Sequence, residues 1–287
     1  MSSRLAILLA LLTSSAAVAA AQTPVIVSAK WMDKRLADRA VVVLHAGTRT
    51  EYDAGHLPGA RFLPFTAVAL QSDGLSTQLP SPAHIDSLLE SVGVSDGQHI
   101  VVYGQPLVAA RTLVTLERAG LRGKVSILDG GIDAWRESGR QVSFDAPLVS
   151  RGSFTPQPFE NVVDAAWITQ NGSRSGIKVL DARAPEFHLG LSAGSTARAG
   201  RIPGARNIPF SSLTAELTTF RDAAKIRRLF EAAGVAKGDT VVTYCHIGLQ
   251  ASLLYTAARS LGIPVRIYDG SFEDWAKRSE LPVEKVR

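Results

Sequence analysis

This 287-residue sequence predicts an α/β fold of two tandem domains, each a parallel sheet with helices on both faces. Three observations predict it. The chain repeats itself. β-Branched runs alternate with helical stretches, the pattern of a parallel sheet covered on both sides. The single cysteine directly follows one of those runs, and open α/β sheets carry their sites at the carboxyl ends of strands.

The repeat is read from several blocks in one order. Leu57-Pro-Gly-Ala-Arg-Phe-Leu-Pro-Phe65 returns as Ile202-Pro-Gly-Ala-Arg-Asn-Ile-Pro-Phe210, an offset of 145 (202 − 57). Asp129-Gly130 with Trp135 returns as Asp269-Gly270 with Trp275, an offset of 140 (269 − 129). Val101-Val102 returns as Val241-Val242 at that same offset, and Val92-Gly93-Val94 resembles Ala233-Gly234-Val235 at 141 (233 − 92). Such a series means a duplicated domain.

Taken in order, residues 1–21 are a leader. Arg4 is a short positive region, Leu5 to Leu12 is unbroken and apolar, and Ala17–Ala21 offers small-x-small cleavage sites before Gln22-Thr23-Pro24. This is the layout of a secretory signal peptide, too short to span a bilayer. The expectation is a periplasmic or secreted protein with no membrane attachment once the signal is removed. The first domain, 24–145, places strands at Val41–Leu44, Ile100–Tyr103 and Val125–Leu128. Residues 146–160, with Pro147, Gly152, Pro156 and Pro158, read as an extended linker. The second domain, 161–287, places strands at Lys178–Leu180, Thr240–Tyr244 and Val265–Tyr268. In Gln250–Leu261 the residues Leu253, Leu254, Ala257, Ala258 and Leu261 share one helix face, and Gly262 follows as a C-cap. Trp135 and Trp275 recur at equivalent positions, as core residues would.

Composition excludes some chemistry. Lys and Arg number 31 against 26 Asp and Glu, a net charge of +5, with no basic block of five. No nucleic-acid partner is expected, whereas small anions are compatible. One cysteine excludes an internal disulfide and a cysteine-rich zinc site. His45, His56, His84, His99 and His188 show no metal-ligand spacing, so no metal is expected and most of these side chains are placed at the surface or in turns.

The candidate site is the loop Cys245-His246-Ile247-Gly248-Leu249-Gln250 between strand and helix. Backbone N–H groups at the helix start are expected to lower the thiol pKa and to cradle an anion on the sulfur. Gly248 lets the loop curl. His246 is expected at the rim. Asp181 and Arg183 are expected to form an ion pair that braces the loop. At offset 140 the counterpart of Cys245 is Gln105, followed by Pro106, so the first copy lacks the thiol. The second copy also carries nine extra residues (145 − 136) between its first strand and its PGA block, about 190–200, with Arg198 inside and Arg201 just beyond.

Together Asp181-Ala-Arg183, 55-GHLPGA-60, 200-GRIPGARNIPF-210, 244-YCHIGLQAS-252, 129-DGGIDAW-135 and 269-DGSFEDW-275 resemble the two-domain rhodanese family. These are the thiosulfate/3-mercaptopyruvate sulfurtransferases, and the resemblance covers about residues 25–285. It implies an inactive first copy and a second copy whose Cys245 takes a sulfane sulfur as a persulfide. That sulfur passes to cyanide or another thiophile such as a thiol, without metal or organic cofactor. The amides of His246 to Gln250 would hold the persulfide anion. The thiosulfate enzymes carry basic residues after the cysteine, where this chain has His246 and Ile247, and an arginine where it has Phe187. The Gly-Ser loop of the mercaptopyruvate enzymes is also missing. Arg198 or Arg201 is therefore expected to supply the donor's cation. A phosphatase-like reading needs an arginine about six residues after the cysteine, where Gln250, Ala251 and Ser252 stand. A papain-like protease has no local signature here. A non-catalytic sulfane-sulfur or anion-binding module is the remaining alternative, and Cys245 argues against it.

Overall fold

The computed structural model describes residues 23–286. The leader expected at 1–21 lies outside the described residues. The first half runs β1 (Ile26–Val27), α1 (Ala29–Asp33), β2 (Val41–Gly47), α2 (Arg49–Asp53), β3 (Arg61–Pro64), β4 (Leu70–Ser72), β5 (Leu75–Gln78), α3 (Pro82–Ser91), β6 (His99–Tyr103), α4 (Pro106–Leu116), β7 (Val125–Leu128) and α5 (Gly131–Glu137). The second half runs β8 (Val162–Val163), α6 (Ala165–Asn171), β9 (Ile177–Asp181), α7 (Pro185–His188), β10 (Arg206–Asn207), β11 (Thr214–Ala215), β12 (Thr219–Phe220), α8 (Ala223–Ala232), β13 (Thr240–Tyr244), α9 (Leu249–Ser260), β14 (Val265–Tyr268) and α10 (Ser271–Lys277).

Each half builds one five-stranded sheet in which every pairing is parallel. The orders, β1-β7-β6-β2-β3 and β8-β14-β13-β9-β10, are equivalent. Val101, Val102, Val241 and Val242 are fully buried, which explains why these strands read as unbroken apolar runs. Trp135 and Trp275 are buried in equivalent places, and each indole N–H donates at 2.8 Å to a backbone carbonyl, of Gln141 and Pro282 respectively.

The halves share a core. One apolar cluster runs from Val102 and Leu113 of the first half to Leu253 and Ile267 of the second. α4 and α9 pack against each other at its centre. Both are therefore buried all round, from Ala109 to Leu116 and from Ala251 to Ala258. The periodic residues Leu253, Leu254, Ala257 and Ala258 of α9 belong to the cluster that both halves share. A polar seam crosses the same contact. The buried Glu117 carboxylate accepts from Tyr255 Oη (2.7 Å) and from Arg259 Nη2 (2.8 Å) and Nε (3.0 Å). Residues 146–160 carry no regular element and are tied to the first half by Gly152 N–H on Glu90 O (2.8 Å) and Gln157 N–H on Ala119 O (3.0 Å).

Two short antiparallel hairpins, β4–β5 and β11–β12, were not legible as strands. Each reaches across to the other half. Leu79 N–H, just after β5, donates to Asp269 (2.8 Å), and Phe220 N–H of β12 donates to Asp129 (2.9 Å). The repeated Asp-Gly turns are thus the receiving ends of a reciprocal clamp.

Candidate active site

β13 delivers Cys245 to the carboxyl edge of the second sheet, and the chain then turns through His246 and Ile247 to Gly248 before α9 begins. Gly248 has φ +93°, which a side-chain-bearing residue adopts only under strain. The turn wraps the sulfur. Gly248 N–H donates to Cys245 Sγ at 3.1 Å. The amides of Ile247, Gln250 and Ala251 also favour negative charge on the sulfur. Cys245 is fully buried, however, and burial pushes the resting thiol up despite these amides. The lowered pKa expected from the helix start is therefore corrected: desolvation outweighs the backbone dipoles in the closed loop.

The loop is pinned from behind. Ser271 Oγ accepts from Cys245 N–H (3.2 Å), and the first amides of α10, Phe272 and Glu273, donate to the carbonyls of Cys245 and His246 at 2.9 Å each. Ser252 Oγ donates to Gly248 O (2.8 Å).

Asp181, at the end of β9, pairs with Arg183 through Nε (2.9 Å) and Nη2 (2.7 Å), and both residues are fully buried. Tyr244 Oη donates to the same carboxylate (3.0 Å) and His188 Nδ1 lies 3.1 Å from it. Burial alone would raise the Asp181 carboxyl; the hydrogen bonds from His188 and Arg183 outweigh it and hold it below the usual carboxylate range. Arg183 Nη2 also donates to Gly200 O (2.7 Å), and its guanidinium lies 4.1 Å over the Phe272 ring. The pair thus ties β9, β13, the insert and α10 together.

The other half also reaches the loop. Thr77, in β5, donates its hydroxyl to Ile247 O. Arg111, on α4, is fully buried and donates Nη2 to Thr77 O and to Asp269 Oδ1 (2.5 Å). Its Nη1 would lie 2.9 Å from a Cβ on Gly248, so the guanidinium backs the turn of the cysteine loop.

A cysteine set in a backbone cradle at the strand end of a duplicated parallel sheet can be placed by comparison with known proteins. The rhodanese-like domain family matches residues 28–138 and again residues 164–278. The chain belongs to the rhodanese-like family. It is 28% identical over 280 residues to 3-mercaptopyruvate sulfurtransferase of Escherichia coli K12, covering 91% of this chain and 98% of that protein. It is 28% identical over 301 residues to thiosulfate/3-mercaptopyruvate sulfurtransferase 2 of Arabidopsis thaliana, covering 90% and 86%. The crystal structure of SseA, a 3-mercaptopyruvate sulfurtransferase from E. coli, superposes with a TM-score of 0.77 at 26% identity, covering 87% of this chain and 99% of that one.

Within this rhodanese-like pair, several expected residues fall elsewhere. Arg198 spends its guanidinium on the carbonyls of Trp275 (3.0 Å), Ala276 (3.0 Å), Arg278 (2.6 Å) and Leu281 (2.9 Å), so it staples the insert to the end of α10. Arg201 pairs with Glu284 and donates to His188 O (3.2 Å). Neither is free to serve as the donor's cation. His246 lies half-buried with its ring edge-on to Phe187, centroids 4.6 Å apart. Burial and then the Arg183 charge push its pKa down, so it lines the rim as a neutral ring. The insert closes over both, since a Cβ on residue 194 would lie 3.0 Å from the Phe187 ring and 3.3 Å from His246. His45, His56 and His188 are buried, not at the surface: His56 stacks on Tyr52 with centroids 3.8 Å apart, and His188 holds Asp181. Among the described residues, no group of three or more His, Cys, Asp or Glu has metal-binding geometry.

The counterpart of Cys245 also moves. Strand pairing sets His45 beside Tyr103 and Asp181 beside Tyr244, and the two tyrosine hydroxyls accept from equivalent amides, Leu57 (3.0 Å) and Ile202 (3.2 Å). Tyr103 therefore matches Tyr244, and Gly104 rather than Gln105 matches Cys245. Gly104 has φ +153°, and a Cβ there would sit 2.1 Å from Ala46 O. The first half has no room for any side chain where the second carries its sulfur. Arg111 is the site residue that sequence reasoning passed over. Its signal was a lone charge inside the apolar run Leu107–Leu116, an arrangement tolerated only when the charge is paired.

Proposed function

We propose that this chain is a sulfurtransferase that moves a sulfane sulfur from thiosulfate, or a similar small anionic donor, to a thiophile through Cys245. The observation that carries the reading is the Cys245 sulfur ringed by backbone amides of its own loop, with Gly248 N–H at 3.1 Å. The Cys245 thiolate attacks the outer sulfur of thiosulfate. The sulfur–sulfur bond of the donor breaks, and sulfite leaves with the electron pair. The new persulfide carries the negative charge into the amide cradle, which stabilises it without proton transfer. Cyanide or a thiolate then attacks the terminal sulfur, the bond to Sγ breaks, and the thiolate returns.

Two buried guanidiniums with unspent donors stand in for the cation once expected of Arg198 or Arg201. They are Arg183, with Nη1 unpaired, and Arg111, with Nε and Nη1 unpaired. Cys245 is fully buried, and the insert packs on Phe187 and His246 beside it, so donor entry requires the mouth of the site to open.

A second donor, 3-mercaptopyruvate, is favoured by the similarity to the E. coli enzyme of that name. The Cys245 thiolate would attack its sulfur, the carbon–sulfur bond would break with the electron pair going to carbon, and the donor's thiol proton would end on that carbon, so that pyruvate leaves and the persulfide stays. Thiocyanate formation from cyanide with each donor separates the two readings. Turnover with thiosulfate at the higher kcat/KM supports the first, the reverse order replaces it with the second, and no turnover with either removes both. The sequence of residues 1–21 supports a periplasmic or secreted location; the mature N-terminus of exported protein, read by mass, tests it.

A further inference from the structure

We propose that the first half holds a binding site for a small organic cation bearing N–H donors, an amine or a guanidine, at His45 and Glu51. A cavity of about 520 Å³ opens at the carboxyl ends of β2 and β6, the same edge that carries Cys245 in the other half, and Glu216 on the β11–β12 hairpin helps to wall it. That size suits a small metabolite.

His45 lines this cavity, is 4% exposed, and has no hydrogen-bond partner on either ring nitrogen. A buried polar group without a partner is costly and rare. Packing fixes the ring, which stands edge-on to Tyr103 with centroids 5.0 Å apart. Burial holds it neutral against the Glu51 charge, so it can accept an N–H.

Glu51 is equally preset. Its Oε2 accepts from Thr48 N–H (2.8 Å) and Thr48 Oγ1 (2.8 Å), and its Oε1 from Gln105 Nε2 (3.0 Å). Those contacts leave acceptor capacity on Oε1. Gly47 lies between the two groups: a Cβ there would be 2.7 Å from Glu51 Oε2 and 2.8 Å from His45 Nε2. Arg183 occupies the equivalent place in the second half, at the offset of 136 (183 − 47), and satisfies Asp181 there. Here glycine leaves the acceptors uncovered, and the nine-residue insert that closes the second site is missing. Asp133 and Arg136, also on the wall, lie 3.9 Å apart and offset one another. Glu51 and Glu216 remain, so the cavity is acidic with a neutral acceptor at its base, a match for a donor-bearing cation and a mismatch for an anion.

Isothermal titration of the full chain tests this with agmatine (cationic, with N–H donors), tetramethylammonium (cationic, without donors) and butyrate (anionic). The expected result is one agmatine per chain, no binding of the other two, and affinity for agmatine at least about tenfold weaker in Glu51→Gln. Glutamine keeps the capping geometry, so thiocyanate formation should be unchanged in that variant. Glu216→Gln, on the exposed hairpin turn, should weaken binding by a smaller factor and covers the case in which Glu51→Gln does not fold. No agmatine binding up to about 10 mM, well above ordinary metabolite-site affinities, overturns the proposal. So does equal binding of butyrate, or an unchanged Kd in the folded variants. Sulfur transfer at Cys245 stands or falls separately.

Discussion

The two halves end their central strands in the same way and do opposite things there. In the second half β13 delivers a sulfur, a left-handed glycine turns the chain around it, and the buried Asp181–Arg183 pair stands at the end of the neighbouring strand. In the first half β6 delivers Gly104, α4 begins two residues later at Pro106, and the acceptors His45 and Glu51 face an open cavity. The difference teaches that the two copies differ at this position in backbone as well as in the thiol: Gly104 has no room for the side chain that Cys245 carries. The first copy also supplies Thr77 and Arg111 to the Cys245 loop and half of the common core.

The largest effect should come from Cys245→Ser. Removing the nucleophile should lower thiocyanate turnover at least about a thousandfold while leaving the fold and any agmatine binding intact. Retained turnover would break the comparison at its root. Next is Arg111→Met, which leaves Asp269 without its buried partner. Chemical denaturation should show a loss of about 3–5 kcal/mol, the usual cost of breaking a buried pair from one side. Turnover in the folded variant should fall, although the residue belongs to the half without the cysteine. A stability within 1 kcal/mol of wild type, about the value of an exposed pair, would mean that the halves are not coupled there.

Gly104→Cys asks whether the missing thiol alone separates the two copies. With a Cβ aimed at Ala46 O at 2.1 Å, the variant should lose about 1–3 kcal/mol or more, and no second persulfide should form. Arg198→Ala should cost about 1–2 kcal/mol in lost hydrogen bonds and leave the KM for donor unchanged, because its guanidinium serves carbonyls of the α10 terminus.

The smallest effects are in pH dependence, where the two sites run in opposite senses. Burial raises the Cys245 thiol, so the folded chain keeps that proton longer than the unfolded chain. The associated stability is whole below the unfolded thiol pKa of about 8.5 and is lost as pH rises beyond it. Burial lowers His45, so the unfolded chain binds that proton first. Its contribution is whole above about pH 6.5 and is lost as pH falls. Melting temperature against pH should lose part of its alkaline slope in Cys245→Ser and part of its acid slope in His45→Phe. His99 and His246 are lowered in the same way and share the acid limb.

Much of this comparison was legible in the chain. Strands such as Thr240–Tyr244 and Val265–Tyr268 lie where β-branching put them, since a two-sided parallel sheet demands such runs. Cys245 was found from its place after a strand, and the Asp181–Arg183 pair from its motif. What escaped depends on distance in three dimensions. The α4–α9 contact hides behind ordinary amphipathic periodicity. Arg111 meets Asp269 across 158 positions of sequence. Arg198 looked available because nothing local shows that four carbonyls at the far end of the domain would take it. The one-residue slip from Gln105 to Gly104 followed from fixing the repeat on Val101-Val102, where β-branched residues match at more than one offset; strand pairing decides it.

The most direct measurement is the intact mass of the full chain after thiosulfate, before and after cyanide. A gain of one sulfur atom per chain, absent in Cys245→Ser and released by cyanide as an equal amount of thiocyanate, is the predicted result. A chain that gains no sulfur from thiosulfate or 3-mercaptopyruvate, or a Cys245→Ser variant that still gains it, would contradict the assignment of one working site to the second half.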